Sequence, residues 1–84
     1  MTHRLDIHES RRAHVLEFQG LLDAAALAGL RAALAAAQKR GASARIVLRA
    51  GTEVERSCLP ALRAIGAEVI AEAPYLASWL RDSR

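Results

Sequence analysis

The segment from Ala24 to Arg40 constrains this chain most, because its composition suits only a helix and it lies between two apolar runs of strand character. It is dominated by alanine and leucine, the strongest helix formers. Leu27, Leu30 and Leu34, with Ala33 and Ala37, recur at the spacing of a single apolar face. Asp23 is placed to cap the N-terminus, where its carboxylate accepts a backbone N–H and meets the positive end of the helix dipole. Lys39 and Arg40 supply positive charge at the other end, and Gly41 is the expected C′ residue. Gly29 lies inside the helix at a cost of about 1 kcal/mol relative to alanine. Close packing of the helix on a sheet is the expected reason for it.

A helix between two strands is a crossover, and crossovers join parallel strands. Before it, Leu5 and Ile7 alternate with Arg4, Asp6 and His8, the period of a half-buried strand. Glu9-Ser10-Arg11-Arg12 reads as a hairpin connection, and residues 13–19, with Val15, Leu16 and Phe18, as a second, more central strand. Gly20-Leu21-Leu22-Asp23 is expected to end it. After the helix, Ile46-Val47-Leu48 is a continuous apolar run, the pattern of a strand buried on both faces. A polar loop is expected from Ala50 to Arg56. Ser57 then caps a second helix with Pro60 in its first turn and Leu59, Leu62 and Ile65 as its buried stripe. Gly66 ends that helix, residues 67–72 form a fourth strand around Val69-Ile70, and Pro74 opens a last helix carrying Tyr75, Leu76, Trp79 and Leu80. The expected order is β-β-α-β-α-β-α. This is one small α/β domain over residues 1–84 with a mixed, mostly parallel sheet.

Composition sets limits on function. Of the 84 residues, 52% are hydrophobic and 25% charged, which suits a globular domain, and 84 residues leave no room for a second core. A net charge of +3 invites a nucleic-acid reading, but the basic residues are scattered among acidic ones and no aromatic residues interleave with them. Nucleic acid is therefore not an expected partner. No run reaches the roughly 18 apolar residues of a membrane span. The first residues, Met1 to Asp6, have no apolar core of a signal peptide, so the expectation is a cytoplasmic protein without membrane insertion.

Few residues suggest chemistry. Cys58 is the lone cysteine and leaves no internal disulfide or four-thiolate zinc site. Cys58 to Arg63 falls one residue short of the C-x5-R phosphate loop of cysteine phosphatases and lacks its glycines. His3, His8 and His14 match no metal-ligand spacing, although His8 and His14 could face each other across the hairpin. No cofactor is implied. Asp23, at a strand end, and Ser57 and Cys58, at a helix start, lie where open α/β sheets place their sites, beyond the carboxyl ends of the strands.

Two of these segments carry a family resemblance. Gly20-Leu21-Leu22-Asp23 before the first helix, and Glu55-Arg56-Ser57-Cys58-Leu59 after Ile46-Val47-Leu48, resemble the motifs of STAS domains, the anti-sigma-factor antagonists and cytoplasmic modules of sulphate transporters. Members of that family commonly show G-x-L-D or G-x-I-D before the first helix and D-S-[ST]-G-L opening the second. Aligned on Leu59, Glu55 takes the place of the aspartate, Arg56 of the first serine, Ser57 of the phosphorylatable residue and Cys58 of the glycine. A usual STAS domain also continues with another strand and helix, where this sequence has only Pro74 to Arg81. A sheet edge or an apolar helix groove would then be left open to a partner. The resemblance implies a non-enzymatic regulatory module that binds a protein through Asp23, Glu53, Glu55, Arg56, Ser57, Cys58 and Leu59, with Ser57 as the candidate phosphosite. The partner it implies is a kinase-like anti-sigma factor or, for an accessory subunit of a lipid transporter, an ABC-type ATPase. A homodimer is a further partner to test. The alternative is a small thiol-dependent enzyme or redox carrier using Cys58.

Overall fold

A computed structural model of the chain describes residues 3–10 and 13–81. Arg11 and Arg12 of the expected hairpin connection, and the polar tail after Arg81, lie outside the described residues. The hairpin consists of β1 (His3–Glu9) and β2 (Ala13–Leu22), paired antiparallel from His3 opposite Gly20 to Glu9 opposite His14. Helix α1 (Ala24–Lys39) follows, then β3 (Ser43–Leu48), a two-residue strand β4 (Glu53–Val54) and a 3-10 turn (Arg56–Cys58). The chain continues through α2 (Leu59–Arg63), β5 (Glu68–Ala71) and α3 (Pro74–Arg81). Among the described residues no helix is long and apolar enough to cross a membrane.

The sheet has five strands in the order β1-β2-β3-β5, with β4 added beside the end of β2. β2, β3 and β5 run parallel, as crossover connections require, and β1 is the antiparallel strand. From β2 to β3 to β5 the chain steps always in one direction, so right-handed crossovers place their helices on a single face. Burial agrees. Leu16, Phe18 and Leu22 of β2 and Ile46 and Leu48 of β3 point to the helix side, where they pack with Ala26, Leu30 and Leu62. Each fully buried leucine or phenylalanine contributes roughly 1.5–3 kcal/mol over an exposed one. α3 adds Leu76 to the buried set, and its Trp79 lies under the Arg63 guanidinium of α2, 3.9 Å from the ring centre.

The other face of the sheet is polar, which corrects the expectation that Ile46-Val47-Leu48 is buried on both sides. Only Ile46 and Leu48 are buried; Val47 is half-buried on the opposite face beside Ile70, which is exposed. Ion pairs join neighbouring strands on either side of this apolar pair, Arg45 to Glu68 at 2.9 Å and Arg49 to Glu72 at 3.1 Å. An uninterrupted apolar run therefore does not require two covered faces when flanking ion pairs make the open one soluble.

Helix α1 ends as its composition dictates. The Asp23 carboxylate accepts from the Ala26 N–H at 2.9 Å. At the other end Gly41 takes a positive φ of 76°, Gly41 N–H donates to Gln38 O and Ala42 N–H to Ala37 O, a Schellman closure. Gly29 departs from expectation. It is exposed, and an added Cβ would meet no atom within 4 Å, so close packing does not explain it. The histidines do not pair either. The register sets His8 opposite Val15 and His14 opposite Glu9, on opposite faces of the sheet. His8 bonds to Glu17 at 3.1 Å, and His3 stacks on Phe18.

Candidate functional site

β2 does not stop at residue 19. It continues through Gly20, at a φ of 112°, to Leu22, because β4 supplies a new neighbour for its last two residues. Partners differ by 30 in number along β2 and β3 (Ala13 opposite Ser43) and by 32 along β2 and β4 (Leu21 opposite Glu53). The strand beside β2 thus carries two surplus residues, accommodated in a turn closed by Thr52 N–H to Arg49 O, with Gly51 at a φ of 88°. The polar loop expected from Ala50 to Arg56 is in fact this turn followed by a strand.

Several side chains pin the turn. Thr52 is 1% exposed, and its hydroxyl donates to Phe18 O at 3.1 Å, an oxygen that also accepts the Arg49 N–H at 2.8 Å. Gln19 Nε2 donates to Ala50 O at 2.9 Å, and Ala50 N–H donates to Glu72 Oε1 at 2.8 Å. That amide, followed by the Arg49 guanidinium, holds the Glu72 carboxyl below its usual range. Reciprocally, the Glu72 carboxylate and then Glu17 raise Arg49 above its ordinary value. Tyr75 Oη, from α3, donates to Thr52 O at 3.2 Å while its ring stays 62% exposed.

The anticipated residues gather on this frame. Val54 lies opposite Leu22, and Glu55 N–H donates to Leu22 O at 3.0 Å, which brings the segment from Glu53 beside the end of β2 and hence beside Asp23. Glu53, Glu55, Arg56 and Ser57 are exposed; Asp23 and Leu59 are half-buried. The Asp23 carboxylate is engaged as a helix cap. Ser57 is not one. Its Oγ donates to Glu55 Oε1 at 2.9 Å, and no side chain caps either the 3-10 turn or α2. The reason lies in the backbone: Cys58 N–H is bonded to Glu55 O and Leu59 N–H to Arg56 O, while Pro60 has no N–H to offer.

Cys58 is 3% exposed, so of the anticipated surface residues it alone is turned inward. Comparison of the chain with protein-family models and with curated proteins finds no match. What can be said of this end of the sheet therefore rests on its own chemistry. Two exposed carboxylates, a guanidinium and a hydroxyl stand on the backbone that follows a turn held by Phe18, Gln19, Glu72 and Tyr75, and the exposed Tyr75 ring is attached to that turn. The histidines lie in β1 and β2, and the Ser57 hydroxyl is bonded to a carboxylate. Among the described residues no three His, Cys, Asp or Glu side chains gather as metal ligands.

Tyr75 is the residue that sequence reading left out of the site. Helical spacing grouped it with Leu76, Trp79 and Leu80, but the buried stripe of α3 runs through Leu76. The one available signal was a hydroxyl-bearing aromatic off that stripe.

Proposed function

We propose that the chain is a non-enzymatic protein-interaction module of the STAS kind, binding its partner through Asp23, β4 and the 3-10 turn. The observation that carries this reading is the pairing of β4 with the end of β2. It sets the Gly20–Asp23 segment beside β4, which leads directly into Glu55–Leu59, and these are the two places where the sequence resembles STAS motifs. A pinned backbone with exposed polar groups and one aromatic anchor suits protein recognition, in which tyrosine and arginine contribute disproportionately. Tyr75 extends the surface predicted from the motifs. Burial of Cys58 weighs against the thiol-dependent alternative, since a reactive thiolate needs access.

Ser57 is the proposed point of regulation. Its hydroxyl is exposed and donates to the Glu55 carboxylate. A phosphate there would add roughly two negative charges beside Glu55, replace attraction by repulsion and reorient the turn. The expected partners are a kinase-like anti-sigma factor or a transporter ATPase. Once a partner has been captured and identified, its binding to the pure chain should weaken at least about tenfold on Ser57→Asp, Arg56→Glu or Tyr75→Ala. Asp23→Asn keeps the helix cap and tests the charge alone. Unchanged affinity in all four variants, with folding intact, would remove the proposal.

A further inference from the structure

Among the described residues β1 is an edge strand with one side unpaired, and its chemistry suits a second copy of itself. The hairpin bond from Ser10 N–H to Ala13 O, at 2.9 Å, fixes which β1 amides face β2. By antiparallel alternation Arg4, Asp6 and His8 exchange backbone bonds with β2, while Leu5, Ile7 and Glu9 direct their N–H and C=O groups outward. An open row of this kind pairs with another strand unless something discourages it, and charged side chains are the usual deterrent. Here basic and acidic side chains alternate along the polar face, Arg4, Asp6 and His8, so the deterrent fails against one particular neighbour.

Two copies of β1 related by a two-fold axis perpendicular to the sheet must pair residues of the same parity, since the axis keeps each side chain on its own face. Few registers remain. An axis at Asp6 sets the Asp6 carboxylate against itself, which is repulsive. An axis at His8 sets His8 against itself. An axis at Leu5 sets Arg4 against Asp6 but centres on Leu5, which already packs against the core, and leaves the exposed Ile7 opposite His3. With the axis at Ile7, residues 4–10 overlap: Ile7 meets Ile7, Asp6 meets His8 twice and Leu5 meets Glu9 twice. The exposure of Ile7 fits this register. It is 48% exposed although it lies on the helix-side face, above a shallow groove of about 180 Å³ against Ala33, Ala36 and Ala37 of α1.

We infer that two copies of this chain pair β1 to β1, antiparallel about an axis at Ile7, and continue the sheet from one protomer into its partner. The Asp6 carboxylate facing the His8 imidazole on the polar face and isoleucine on isoleucine beneath α1 select this neighbour over an unrelated extended peptide. The inference is independent of the partner surface proposed above, because β1 lies across β2 from β3.

The test is the mass of the full chain in solution up to about 1 mM, where even small edge contacts assemble. The expected species is a dimer of the 9.1 kDa chain. Ile7→Asp, whose folding is checked by circular dichroism, should weaken it at least about a hundredfold by setting two carboxylates against each other. In a Cys58→Ala background, Ile7→Cys should form a disulfide-linked dimer on mild oxidation, because paired strand residues lie within the Cα range of about 4.4–6.8 Å. Glu9→Cys, which faces Leu5, should not. A monomer at the highest concentration, a dimer indifferent to Ile7→Asp, or equal cross-linking at positions 7 and 9 would overturn the inference. So would a chain that stays monomeric while an extended peptide of another protein binds β1.

Discussion

Replacing Thr52 with valine isolates the hydroxyl that anchors the turn between β3 and β4. The side chain is 1% exposed and donates to Phe18 O at 3.1 Å, so valine keeps the shape and removes one buried bond. Phe18 O remains satisfied by the Arg49 N–H at 2.8 Å, so the roughly 1–3 kcal/mol cost of an orphaned acceptor does not arise. The loss is the net worth of a single bond, about 0.5–1.5 kcal/mol, partly offset by the methyl that replaces a hydroxyl in apolar surroundings. In a domain of this size each kcal/mol moves Tm by about 4–8 °C. Urea denaturation should show a lower midpoint at unchanged slope. Amide exchange should quicken at Glu53 and Glu55 more than at Leu16 or Ile46, because the bond holds the turn and not the core. A valine variant as stable as the parent would show that the hydroxyl anchors nothing. A loss above about 3 kcal/mol would show that Phe18 O has no second donor, and that the turn is closed differently.

Gly29→Ala should stabilise the protein by about 0.4–1 kcal/mol in the same assay, because the added methyl meets no atom within 4 Å and restricts the unfolded chain. Acid should act through Glu72, whose carboxyl is held below its usual range first by the Ala50 amide. A depressed carboxyl contributes stability above its unfolded value, near 4.5, and that contribution is lost as pH falls through the folded value. Glu72→Gln should therefore be less stable than the parent at neutral pH, with the gap closing below about pH 4; a gap constant with pH would refute this.

The parts of the fold legible in the sequence are those specified by neighbours along the chain. Asp23 and Gly41 bracket α1 because capping is local chemistry, and the alternation of Leu5 and Ile7 with Arg4, Asp6 and His8 marks β1 for the same reason. What escaped was set across the chain. β4 is two residues long and exists because Leu21 and Leu22 lie beside it; no propensity over Glu53-Val54 could announce that. The polar character of the outer sheet face depends on Arg45 standing opposite Glu68, a matter of register and not of composition. Ser57 had the right residue type for a cap, but i→i−3 bonding and Pro60 left it no amide to accept. The expected nearness of Asp23 to the segment from Glu53 is seen at the end of β2, while Tyr75 and the Gln19, Arg49 and Glu72 supports became visible only in three dimensions.

The two surplus residues between β3 and β4 carry a kinetic consequence. A loop at a strand end usually hangs free and must be ordered when something binds, which costs roughly 1–2 kcal/mol for each residue whose backbone is fixed. Here the chain returns to the sheet after the turn, so the Glu53-to-Cys58 backbone lost its freedom when the protein folded. A molecule that docked on it would meet a backbone that is already ordered. Differences in affinity among variants of this surface should then fall in the dissociation rate, with association nearly constant from one variant to the next.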